Sequence, residues 1–360
     1  MQVAMPIGDE SFAASGCSQH YREAQVQSPQ RMSSEAVRPQ IARLRKAVLQ
    51  WYDANRRDLP WRRTRDPYRI WVSEIMLQQT RVAAVLEHYR RWFELFPDVN
   101  SLASAELNDV LAAWSGLGYY RRARMLHEAA KVIASGMNGL MPRTSPELRK
   151  LPGVGRYTAA AIASIAFLEP VAVVDGNVER VFARFYARRL SQKKNWETAQ
   201  EWLHVKRPGD WNQAMMELGA TVCTPVSPQC RQCPLQIWCA GTEAAQDASK
   251  SPSSTSARKR KVVACALVQR NGSVYLVQRP ADAKKMAAMW ELPEVALDAT
   301  CESLMQVRHS ITDTDYVVHV YARSAKGIRG GRWCSTAELE RMALTGLTRK
   351  VLRKLSLIGQ

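Results

Sequence analysis

At 360 residues with 46% hydrophobic side chains, the chain has room for two domains with cores of their own, which excludes a chain disordered throughout. No run approaches the ~18 apolar residues of a membrane span, and the N-terminal MQVAMPIGDESFAASGCSQH has no basic start followed by an apolar stretch, so neither a membrane segment nor a signal peptide is indicated and a cytoplasmic protein is expected. The net charge of +18 calls for a polyanionic partner: residues 38–240 hold 30 Lys and Arg against 18 Asp and Glu, whereas residues 1–37 hold 2 against 4, so the excess sits in a folded region. In a region dotted with Trp and Tyr, a nucleic-acid surface fits better than a merely solvated basic face.

Residues 1–37 are polar and rich in Ser and Gln, as a flexible extension would be. Over 38–240 the period is helical. VSEIMLQQTRVAAVLEHYRRWFELF sets Ile75, Val82, Val85, Leu86, Tyr89, Trp92, Phe93 and Phe96 at three- and four-residue steps, which predicts an amphipathic helix or a helix pair, and similar patterns surround 105–135 and 177–189. In LPGVGRYTAAAI, Gly153 and Gly155 interrupt helical sequence. Such a turn either packs two helices closely or offers bare amides to an anion at a helix start. Asp175 follows the apolar run Val171–Val174 and is placed to cap a helix.

Four of the eight cysteines crowd into CTPVSPQCRQCPLQIWC as Cys223, Cys230, Cys233 and Cys239, spaced C-x6-C-x2-C-x5-C. In a reducing compartment this cluster is a metal site rather than a disulfide pair, and the spacing alone leaves zinc and an iron-sulfur cluster open. Residues 241–261, rich in Ser, Ala and charge, read as a linker. From 262 to 360 the period changes. VVACALVQRNGSVYLVQR is two β-branched runs joined by Asn271-Gly272, which predicts a hairpin in a smaller α+β domain.

Taken singly, each chemistry-bearing residue of the helical region has an ordinary explanation. Glu74 could be a boundary carboxylate paired with an Arg, and Asp175 a simple cap. Gln78 and Gln79 could be solvated surface, Tyr119 and Tyr120 core aromatics, and Glu217 a charge on a helix surface. Taken in order, LPWR, SEIMLQQTRV, GLGYYRRAR, LPGVGRYTA, VVDGNVERV and then the cysteines resemble the helix-hairpin-helix DNA glycosylases, in particular the adenine DNA glycosylases of the MutY family, over roughly residues 40–240.

The resemblance implies a mostly α helix-hairpin-helix domain in which Gly153 to Gly155 bind a DNA phosphate and the cysteines carry a [4Fe-4S] cluster. It implies that Glu74 protonates the leaving adenine at N7 and that Asp175 stays ionised beside the sugar cation, supported by Asn177 and Tyr157. Where the related endonuclease III enzymes hold a strand-cleaving lysine, this chain has Tyr157, which cannot form an imine, so a monofunctional glycosylase is expected. Gln79 and Tyr119 match the wedge that fills the gap left by a flipped base, and Trp61, Arg62 and Glu217 match the adenine pocket.

The C-terminal part, through its hairpin and MAAMWELPE, resembles the family's Nudix-like module, lacks the G-x5-E-x7-R-E-x2-E-E pattern, and is expected to inspect the opposite base for 8-oxoguanine without pyrophosphatase activity. There the family's Phe-Ser-His turn falls on Ile311, Thr312 and Asp313, which assigns the hydrogen-bonding role to Thr312, unless a loop shift brings in His309 or Ser310. The expected partner is double-stranded DNA with adenine opposite 8-oxoguanine or guanine, met by a monomer without membrane contact. An endonuclease III-like pyrimidine glycosylase/lyase and a non-catalytic iron-sulfur DNA-binding regulator are the competing readings.

Overall fold

Caps written into the sequence start many of the helices. In the computed structural model, which describes residues 34–241, 259–283, 285–298, 300–311 and 313–359 (for 34–39 and 311 the backbone alone), α1 spans Ser34–Asn55 and α2 Pro67–Leu77. Asp66 opens α2 by accepting from the amides of Tyr68 (2.9 Å) and Arg69 (3.3 Å), with Pro67 in the first turn, where its missing N–H costs nothing. Helix α3 (Val82–Leu95) follows after a short turn, so the long apolar pattern is a helix pair.

Then come α4 (Val99–Ser104), capped reciprocally by Asp98 and Ser101, α5 (Leu107–Ala113), α6 (Arg121–Gly136) and α7 (Ser145–Leu148), which Thr144 and Glu147 cap in the same manner. The series closes with α8 (Arg156–Phe167), α9 (Gly176–Phe185), α10 (Gln192–Trp202) and α11 (Pro208–Thr221), after which the cysteine segment winds through two single 3-10 turns.

These helices build two cores. One gathers Trp71, Trp92, Trp114, Leu126 and Ile162 from α2 to α8; the other gathers Tyr52, Phe182, Trp202, Trp211 and Leu218 from α1, α9, α10 and α11. Each buries large aromatic side chains that an exposed helix face could not hold. The seam between the two cores is where the polar residues of interest converge.

The C-terminal part holds two four-stranded sheets. In the first, β1 (Lys259–Leu267) lies between β5 (Glu294–Val295) and β7 (Thr314–Ala322), with β6 (Met305–Ile311) outside β7. The second is built on β3 (Ser273–Gln278), which pairs with β2 (Gln269–Arg270), β4 (Trp290–Glu291) and β8 (Gly331–Ser335). Two helices, α12 (Thr336–Arg341) and α13 (Gly346–Lys354), complete a third core around Leu276, Val318 and Leu352.

The predicted hairpin is present but short. Asn271 (φ 47°) and Gly272 (φ 72°) turn the chain between β2 and β3, whereas the VVACAL run belongs to the other sheet and runs parallel to β7 over its full length. The reason is burial: Ala264 to Val268 are all buried, and such a strand belongs inside a sheet rather than on a hairpin arm. The boundaries shift likewise, since α1 starts at Ser34 inside the stretch read as extension and β1 starts at Lys259 inside the stretch read as linker. Met289 and Ala343 from the C-terminal part are buried within the first helical core, so helical region and sheets share packed surface. Among the described residues no helix is long and apolar enough to cross a membrane.

Candidate active site

A cleft of about 660 Å³ opens along the seam between the two helical cores, and Trp61, Arg62, Glu74, Gln79, Tyr157, Asp175, Asn177 and Glu217 all line it. Segments more than a hundred residues apart in sequence are thus brought to one place.

Glu74 comes from the middle of α2, where Ile70 to Met76 are buried without a break, so the helix offers its carboxyl no solvent; it is only 6% exposed. Its partner is not an arginine but the Tyr157 hydroxyl from α8, which donates to Oε2 at 2.8 Å and lies 3.3 Å from the Met216 sulfur. Burial pushes Glu74 up to about 7; the tyrosine's hydrogen bond pulls it down and the nearby Asp175 charge pushes it further up. Glu74 can therefore hold a proton near neutral pH and give it away. Burial, with the two carboxylates adding to it, raises the Tyr157 hydroxyl far out of the physiological range, so it stays protonated and keeps a proton to donate.

Asp175 does cap α9, accepting from the Val178 amide at 2.8 Å, yet its other oxygen accepts from the Asn177 side chain at 2.8 Å and faces the cleft. Burial raises its pKa, and the bonds from Val178 and Asn177 oppose that rise. The first turn of α9 can approach α11 this closely because Gly219 has no side chain: a Cβ there would fall 2.6 Å from the Asn177 Cβ.

Glu217, on α11, is not a surface charge. It is 1% exposed and accepts from the Arg57 amide (3.1 Å), Arg57 Nε (2.7 Å), Arg57 Nη2 (2.6 Å) and Arg62 Nη2 (2.8 Å). Burial alone would raise its pKa, but the two guanidinium groups hold it down at about 2, so it is a fixed anion. Two glutamates in one cleft are thereby driven apart, one toward a neutral acid and one toward a permanent charge. Arg57 was not found from sequence. Nothing in NRRDLPWR marks which arginine turns inward, and its partner lies 160 residues away.

Gln79 and Tyr119 stand beside the cleft, together with Gly153, around a smaller groove of about 440 Å³. Both are exposed, as a wedge would need, whereas Tyr120 is a core residue. Both also hold left-handed backbone, Gln79 at φ 55° and Tyr119 at φ 47°, at a cost of order 1 kcal/mol each for residues with a side chain. Gly153 has φ 72°, and a Cβ there would sit 2.5 Å from that of Met125 on α6, so only glycine allows this turn to pack on α6. Gly155 is different. It has extended backbone and is the cap residue of α8, with open space beside it. Thr312 lies outside the described residues; the stretch before it, Met305–Ile311, is strand β6, paired in register with β7.

The four cysteines are half-buried around the 3-10 turns beyond α11. The Cys233 thiol is pushed up first by burial and then by Cys223, Cys239 and Cys230, which puts the four sulfurs in one electrostatic neighbourhood. Among the described residues no group of three or more His, Cys, Asp or Glu side chains is gathered closely enough to hold a metal ion. Helix α9 links this loop to the cleft. Arg180 donates to Asn177 Oδ1 (2.8 Å), Gly219 O (2.7 Å) and Cys223 O (2.9 Å), and the buried Arg184 donates to Thr224 O (2.6 Å) with the Cys223 sulfur at 3.4 Å.

Comparison with known proteins agrees with this geometry. Residues 72–204 match the HhH-GPD superfamily of base excision DNA repair proteins. The adenine DNA glycosylase of Rattus norvegicus is 34% identical over 402 residues, covering 87% of this chain and 78% of the rat protein, and that of Mus musculus is 39% identical over 345 residues, covering 79% of this chain and 66% of the mouse protein. A thermostable thymine-DNA glycosylase of known structure superposes with a TM-score of 0.54 at 30% identity, over 57% of this chain and 97% of the other. Fold and cleft together define a helix-hairpin-helix DNA glycosylase of base excision repair, a hydrolase of N-glycosyl bonds. Within that class the chain belongs to the adenine DNA glycosylase family.

Proposed function

We propose that the chain excises adenine mispaired with 8-oxoguanine or guanine in double-stranded DNA, by hydrolysis that leaves the strand uncut. The observation that carries this is the pairing in one cleft of a buried, protonatable Glu74 with the carboxylate of Asp175, with a tyrosine rather than a lysine beside them. The N-glycosidic bond breaks when the base leaves neutral and the sugar cation finds an anion. Glu74 gives its proton to N7 of the flipped adenine, Tyr157 holds that carboxyl in place, and Asp175, oriented by Asn177, faces the cation until water adds and gives up a proton to the emptied Glu74 carboxylate. Trp61 and Arg62 border the base, and Glu217 fixes Arg62 and Arg57 around it. Gln79 and Tyr119 fill the vacated stack, Gly153 and Gly155 with the α8 amides hold a phosphate, and the C-terminal domain inspects the opposite base, Thr312 being its proposed hydrogen-bonding residue. The protein acts as a monomer.

Single-turnover incubation with a duplex carrying adenine opposite 8-oxoguanine tests this. Free adenine is expected, with an abasic site that stays uncut until heat or base is applied and little adduct trapped by borohydride. Pyrimidine release with efficient trapping would indicate an endonuclease III-like lyase, and binding without release would indicate a regulator.

We further propose that Cys223, Cys230, Cys233 and Cys239 hold a [4Fe-4S] cluster. The donor set supports this: four free thiols, all half-buried on one loop, are the ligand set that a [4Fe-4S] cluster takes. When bound, the cluster supplies thiolate-iron cross-links that close the loop beyond α11, and no step of the hydrolysis runs through it. Anaerobically purified protein should be brown and contain iron; stoichiometric zinc instead would overturn this assignment.

A further inference from the structure

Gln79 and Tyr119 sit on two separate turns, one between α2 and α3 and one between α5 and α6, and both hold backbone that such residues rarely adopt. One side chain joins the turns. Arg122, in the first turn of α6, sends Nη1 to Ile75 O (2.8 Å), Met76 O (3.1 Å) and Gln78 O, and Nη2 to Leu117 O (2.9 Å), Gly118 O (3.2 Å) and Thr80 Oγ1 (3.2 Å). Its guanidinium also lies over the Trp114 and Tyr119 rings, 5.2 and 5.5 Å from their centroids.

None of these partners is a carboxylate. The charge is met instead by the carbonyl ends of α2, where a helix carries partial negative charge, and by two aromatic faces. Burial lowers the Arg122 pKa to about 10, which still leaves it protonated at neutral pH. A planar, forked cation is needed here, because an ammonium could not reach carbonyls on both turns at once.

We propose that Arg122 is a positioning residue for base extrusion, clamping the two turns so that Gln79 and Tyr119 stand in wedge geometry before the duplex arrives. The proposal rests on the reading of those two residues as the wedge. A pre-set wedge does not have to be ordered during insertion, so the loss of the clamp slows extrusion rather than bond cleavage.

The test uses the full chain with its metal site loaded and compares single-turnover adenine release from two duplexes. One is fully paired around the adenine:8-oxoguanine mispair; the other has its neighbouring pair mismatched, so that the adenine is already loosely stacked. Arg122→Lys should lose roughly 10²-fold on the first, as a misplaced group can, and regain most of that on the second. Thr80→Val, which removes one contact of the clamp, should show the same contrast at smaller amplitude and serves alone if Arg122→Lys does not fold. The pH at which the rate falls through Glu74 should not move in either variant. Equal losses on both duplexes, or a displaced pH profile, would mean that Arg122 acts through the helix of Glu74 and would overturn the clamp alone. A wild-type protein that releases no adenine from either duplex would overturn the wedge reading as well.

Discussion

Glu74→Gln is expected to release adenine about 10³-fold more slowly than the wild type while binding the mispaired duplex almost as tightly, because it removes a general acid, worth typically 10²–10⁴-fold, and keeps the shape. The Tyr157 hydroxyl can still donate to the amide oxygen, so the cleft is preserved. The wild-type rate should fall as pH rises through about 7, where Glu74 loses the proton it must donate.

The same residue leaves a stability signature of opposite sign. A carboxyl whose pKa is raised on folding favours the folded state least above that raised value, since the buried group must then be ionised. Glu74→Gln removes this penalty, so at pH 8 the variant should be more stable than the wild type by roughly 3 kcal/mol, and near pH 4 the two should converge. Thermal denaturation at both pH values checks this. A variant that keeps its activity, or that is destabilised at pH 8, would remove Glu74 from the role of acid.

Asp175→Asn should lose roughly 10²–10³-fold in single-turnover rate, as the sugar cation would face a neutral amide in place of an anion. Folding should survive, because asparagine caps a helix as well as aspartate does. A second effect follows from the coupling of the two carboxyls. The Asp175 charge helps to raise the pKa of Glu74, so its removal should move the alkaline fall-off of the residual activity to lower pH. A pH–rate profile of the variant decides the matter, and an unmoved fall-off would mean that the two groups do not act as a pair.

Much of this site was legible before folding was considered. The three- and four-residue spacing of apolar side chains marked the α2–α3 pair, Asp175 was recognisable as a cap, and Asn271-Gly272 as a turn. The order of the motifs carried the family, which the relatives bear out. Glu217, by contrast, looked as much like a surface charge as a pocket residue. Only the arginines that α1 and the following turn bring to it, from 160 and 155 residues away, make it a buried anion.

The division follows the range of the forces. Helix periodicity, caps and tight turns depend on neighbours a few residues apart, so the sequence by itself determined the helical stretches around α2, α3, α6 and α9 and the cap at Asp175, and it nominated candidates for the chemistry. The tertiary structure alone decided that Tyr157 meets Glu74 across 83 residues, that the VVACAL strand pairs with β7 rather than with its neighbour, and that Gly153 bends under Met125 while Gly155 does not. It also decided the protonation of Glu74, because that follows from how much water the packed α2–α8 interface excludes, a quantity that no local stretch of sequence contains.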